Sequence, residues 1–139
     1  MKKQLFIALT LIIFTITGFA QQKLPTLNIN SSEIIEKAQE MDFSEAKEIL
    51  LTIPLGDTLY NTAQMMLGKL HTNNKQYEDA LKYCMWVLEH PNSKVSEKDI
   101  IPTMAECYYY LNDYNTAIFY FNKALEYFPY KAYLHNNLA

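Results

Sequence analysis

The chain has 139 residues, half of them apolar, with three glycines, five prolines and a formal charge of -3. That length holds one domain, and so little glycine and proline excludes a turn-rich sheet protein in favour of long helices. Every cation is a lysine; without a basic excess or an arginine fork to grip phosphates and read guanines, nucleic acid is excluded as an expected partner.

The N-terminus comes first. MKK is a positive leader, LFIALTLIIFTITGF an uncharged apolar run, and Gly18 and Ala20 are small residues at the cleavage-specifying positions. Residues 1–20 therefore read as a secretory signal peptide cut between Ala20 and Gln21. An uncleaved membrane anchor is the competing reading, but the run is short against the ~20 residues a span needs. No cysteine follows the small residues, which excludes a lipid anchor. The expected location is periplasmic or secreted, with membrane contact only through the signal segment if it is not cleaved. Residues 21–30, QQKLPTLNIN, form a short polar linker.

From residue 31 the chain repeats itself. Residues 31–57 hold SSEIIEKAQE and FSEAKEILLTIP, a degenerate copy with a short, charged first helix and Ile34 where a small residue is expected. Residues 58–92 hold NTAQMMLGKLHTNN and YEDALKYCMWVLEHP, a clear pair of amphipathic helices. Residues 98–130 hold DIIPTMAECYYYLN, with Ile100, Ile101, Met104, Cys107, Tyr108 and Leu111 on one face, Asp99 as N-cap and Pro102 in the first turn. Its second half, DYNTAIFYFNKALEYFP, puts Ala117, Ile118, Phe121, Ala124, Leu125 and Phe128 on one buried face before Pro129 stops the helix.

A step of 37 residues places Tyr114 on Tyr77, Ala117 on Ala80, Leu125 on Leu88 and Ala105 on Gly68; a further step of 34 places Tyr77 on Phe43 and Ala80 on Ala46. A forward step of 34 sets Ala105 on Ala139, so residues 131–139, KAYLHNNLA, read as the start of a fourth copy and the chain as an N-terminal fragment. Between the second and third pairs NSKVSEKD adds three residues, where a local change in superhelical twist is expected.

These positions resemble the tetratricopeptide repeat, a 34-residue helix-turn-helix with small residues at the crossing, an aromatic opening the second helix and a proline at its end. Leu67, Gly68, Tyr77 and Ala80 carry the pattern in one copy; Ala105, Tyr114, Ala117, Phe121, Ala124 and Pro129 carry it in the next. The expected fold is all-α, antiparallel helix-turn-helix pairs stacked as an α-solenoid. A generic helical bundle is the alternative. The resemblance implies a concave groove, lined by the first helices, that holds a protein or peptide. Carried over by position, the groove residues are Met65, Lys69, Asn73, Glu106, Tyr109, Tyr110 and Tyr133, with Thr62, Thr72, Asp99 and Asn136 beside them. Chaperone-binding members of that family clamp a terminal carboxylate, but here the aligned positions read Met65, Lys69, Thr103 and Glu106, so that clamp is not expected.

Enzymatic signatures are absent: there is no glycine-rich phosphate loop, GxSxG, HExxH or CxxC. No cofactor and no metal is expected. His71, aligned with Tyr108, belongs near the core in a hydrogen-bonded structural role, and His90 at a helix C-terminus. Glu33, Glu36, Glu45 and Glu48 alternate with lysines as on a solvated face. Cys84 and Cys107 fall at core-facing positions, where cysteine behaves as a small hydrophobe, although an oxidising compartment also permits a bridge. The expected function is a non-catalytic interaction scaffold in the bacterial envelope. The alternative is the sensory or docking front end of a longer envelope receptor or enzyme.

Overall fold

The computed structural model describes residues 30–132 and 136. Six helices occur in its main body: α1 (Ser31–Ala38), α2 (Phe43–Leu50), α3 (Tyr60–Asn73), α4 (Tyr77–Glu89), α5 (Glu97–Tyr110) and α6 (Tyr114–Tyr127). They pack as successive pairs, α1 with α2, α3 with α4 and α5 with α6, and α5 rests on both α3 and α4. The fold is all-α, as the periodicity predicts. The signal segment, nearly all of the linker, and Tyr133, Leu138 and Ala139 lie outside the described residues.

Local chemistry fixes the helix ends. Asn30 accepts a hydrogen bond from the Glu33 amide, and Asp42 accepts from Ser44 and Glu45, so orphan donors at the starts of α1 and α2 are satisfied. The turns inside the second and third pairs are copies of each other. Lys75 and Asn112 both adopt left-handed backbone, with φ of 60° and 64°. In each turn the next residue's amide reaches back five positions, Gln76 to His71 and Asp113 to Tyr108 at 2.9 and 3.0 Å, closing a Schellman motif. An αL lysine is unfavourable by itself, so its presence shows that helix packing overrides local preference there.

One cap differs from expectation. α5 begins at Glu97, not after Asp99: Ser96 is the N-cap, and its amide and hydroxyl donate to the Asp99 carboxylate at 2.8 and 3.0 Å in a capping box. Pro102 consequently sits in the second turn, removing the amide that would serve the Lys98 carbonyl. The inserted segment before α5 is pinned in place. Asn92 accepts from the Lys94 and Val95 amides, each at 2.9 Å, and Val95 is buried in the core.

The core runs along the array, crossing the boundaries between pairs. Ile34, Ala38, Ala46, Leu50 and Ile53 pack on Ala63 and Leu67 of α3. On the other side of the second pair, Ala80, Leu81, Cys84 and Val87 of α4 meet Val95, Ile100, Met104 and Cys107. Ile101 and Ala105 then pack on Ala117, Phe121 and Ala124 within the third pair. Each layer needs its neighbour to bury it, which is the physical definition of a solenoid.

Gly68 permits the closest approach. A Cβ there would stand 2.8 Å from the Cys84 sulfur and 3.5 Å from the Ala80 carbonyl oxygen. The small residue at the crossing therefore has a steric reason. The expected buried face of α6 is correct except at Ile118. Its counterpart Leu81 is 9% exposed beneath α5, whereas Ile118 is 47% exposed.

Candidate functional site

The first helices α3 and α5 lie side by side, and between them opens a cavity of about 350 Å³. It is lined by Lys69 from α3; Lys98, Asp99, Pro102, Thr103 and Glu106 from α5; and Phe128 and Lys131 beyond α6. Lys69 and Glu106 thus line one cavity. Burial holds the Glu106 carboxyl above its ordinary range. Asp99 is the capping-box acid, so its carboxylate is already engaged by Ser96.

The remaining groove candidates go elsewhere. Tyr77 and Tyr110 stack across the pair boundary with ring centroids 4.8 Å apart, and Tyr109 meets Tyr110 and Tyr114 edge-on. These tyrosines form a second cluster near the turn ends, with Tyr109 41% and Tyr110 51% exposed. Met65 packs half-buried against the α4–α5 core, and Asn73 is exposed at the end of α3. Thr72 is buried, its hydroxyl donating to the Gly68 carbonyl at 2.9 Å and lying 3.2 Å from the Cys107 sulfur. Tyr133 lies outside the described residues.

Sequence reasoning missed Lys98, Pro102, Phe128 and Lys131 as cavity residues. Lys98 was hidden by the displaced cap, because starting α5 at Glu97 places Lys98 on its first turn. Lys131 follows Pro129, where helical periodicity carries no information. Its ammonium stands 4.7 Å from the Phe128 ring centroid, a cation–π contact.

His71 occupies the core, 2% exposed, between Phe43 of α2 and Tyr83 of α4, with ring centroids 5.2 and 5.1 Å away. The expected hydrogen bond is not made with normal geometry at either ring nitrogen. The aligned Tyr108 stacks on Tyr120 at 5.5 Å, so an aromatic contact recurs at this register with a different ring tilt. Burial, reinforced by the nearby Lys47 ammonium and only partly opposed by Gln76 and Asp79, lowers the His71 pKa below its ordinary value of 6.5. The unfolded chain then binds the proton first as pH falls. The stability from a neutral His71 is complete above pH 6.5 and is lost as pH drops below it. Urea midpoints measured between pH 7.5 and 5.5 should decline for the native chain and stay flatter for His71→Tyr; equal slopes would refute the assignment.

His90 lies at the α4 C-terminus as expected, its Nδ1 2.9 Å from the Trp86 carbonyl oxygen. Cys84 and Cys107 are buried free thiols, and burial pushes Cys84 up to about 12, far from a reactive thiolate. Glu33 pairs with Lys37 at 2.8 Å on an exposed helix face. Among the described residues there is no cluster of histidine, cysteine and carboxylate groups fit to hold a metal, and no helix long and apolar enough to cross a membrane.

Helix pairs stacked in register, Schellman turns copied at 37 residues and small residues at the crossings of the second and third pairs define an α-helical repeat protein. A family model described as tetratricopeptide repeat matches residues 103–131, which cover most of α5 and all of α6. Such repeats suggest a protein–protein interaction scaffold and are typically non-catalytic. No curated protein matches the chain.

Proposed function

We propose that the chain is a non-catalytic scaffold that holds an extended peptide or partner helix in the groove between α3 and α5, and that it works in the bacterial envelope after export. The observation carrying the groove is the cavity itself. Among the described residues its three lysines pair with no carboxylate, whereas Lys37, Lys82 and Lys123 are each tied to one. A volume near 350 Å³ falls at the small end of ligand pockets, enough for a few side chains of a longer segment. Export is supported by the charged leader, apolar run and small residues of 1–20.

Expressed with its leader in a bacterial host, the chain should appear in the periplasmic fraction beginning at Gln21. Panned against a random peptide library, that material should yield saturable binders that shift amide resonances of α3 and α5. Binders that perturb only α4 and α6, or none at all, would reject the groove; a cytoplasmic chain beginning at Met1 would reject export.

A further inference from the structure

The α3–α5 cavity gathers three lysines and two acids at one concave site. Lys69, Lys98 and Lys131 arrive from three separate places in the fold, and among the described residues none of them pairs with a carboxylate. The chain as a whole is acidic, with a formal charge of -3. Three lysines against two acids leave this concave site net positive in an acidic chain.

Two acids share the lining and offset the three lysines only in part. Asp99 accepts both hydrogen bonds of the Ser96 cap. Glu106 makes no ion pair with Lys69, and burial makes its ionised form harder to hold. Beside the cations stand the Phe128 ring and Pro102, an apolar wall next to the charged one.

Resting on the groove reading above, we infer that this cavity selects an extended segment bearing acidic side chains next to an apolar residue. The lysines receive the carboxylates, Lys131 from its place over the Phe128 ring, and the apolar residue lies against Pro102 beside that ring. Glu106 opposes an excess of negative charge and so limits how acidic the segment can be. A nucleic-acid strand fits the site less well. Its phosphates call for a continuous cationic track, whereas these lysines converge on one bounded cavity and no arginine accompanies them.

The test uses the full exported chain and peptides acetylated and amidated at their ends, so that only side-chain carboxylates are offered. A peptide of alternating glutamate and leucine is titrated by fluorescence anisotropy beside its lysine and glutamine counterparts and a short oligothymidine. The glutamate peptide should bind about tenfold or more tightly than the lysine one, with affinity falling as salt rises. The triple variant Lys69→Gln, Lys98→Gln, Lys131→Gln should abolish that preference while keeping its helical circular dichroism. Glu106→Gln should tighten the glutamate peptide several-fold. These opposite responses at sites sharing one cavity would not follow from a merely structural role.

Equal binding of the lysine peptide, equal binding of oligothymidine, or insensitivity to the lysine substitutions would overturn the inference. So would binding that requires a free terminal carboxylate. If neutral or basic peptides bind in the groove, the acidic preference falls and the scaffold reading stands. If no peptide of any charge binds there, both fall.

Discussion

Phe121→Ala is expected to cost about 3–5 kcal/mol, a large part of the ~5–15 kcal/mol available to a domain. Phe121 is 1% exposed and is among the largest fully buried side chains, filling the layer between Ile101 and Ala105 of α5 and Ala117 and Ala124 of α6. Its neighbours on α6 are alanines, which have no spare length with which to collapse into the void. The damage should begin locally. α5 is also held through Ile100, Met104 and Cys107 against α4, while α6 depends on the Phe121 layer. Hydrogen exchange should therefore show α6 losing protection before α3 and α4, since a lone helix of its length is marginal in water. A loss below about 1 kcal/mol in urea unfolding would contradict this account of the layer.

The second large effect is expected at Gly68. Alanine normally gains about 1 kcal/mol over glycine inside a helix, yet Gly68→Ala should destabilise by about 1–3 kcal/mol because its Cβ must displace a buried sulfur. The contact is 2.8 Å to Cys84 Sγ, and Cys84 is itself enclosed. The sign of the result separates the two forces. Adding Cys84→Ala to Gly68→Ala removes the obstructing atom and should recover much of the loss, a coupling that a double-mutant cycle measures directly. If Gly68→Ala stabilises the chain, the close helix approach is wrong.

What the sequence made legible was the period and whatever the period carries. The 37-residue step correctly joins Gly68 to Ala105 and Tyr77 to Tyr114, and it aligns His71–Tyr83 with Tyr108–Tyr120, which share a ring contact. Features settled by competition between neighbours were harder. Ser96 and Asp99 are both good N-caps, and only the capping box, in which both act together, decides that the helix starts at Glu97. Lys75 gives no local sign of left-handed backbone, because the packing of α3 against α4 imposes it.

The groove was legible only in part, for a related reason. Periodicity identifies which face of a helix turns inward but not what stands beyond the face, so Ile118 reads the same as the covered Leu81. Tyr109 and Tyr110, carried to the groove by aligned position, engage Tyr114 and Tyr77 and do not line the cavity. Lys98 and Lys131 needed three-dimensional convergence from separate elements to become visible.

The placement of Lys69 and Glu106 on different helix pairs has a mechanical side. Their separation is set by how α5 rests on α3 and α4, a seat in which Val95 is buried. Changing the pitch of the array therefore changes the width of the cavity, and filling the cavity resists a change of pitch. Curvature and occupancy become one coordinate: on the proposed reading, a segment bound across the two pairs would act as a splint.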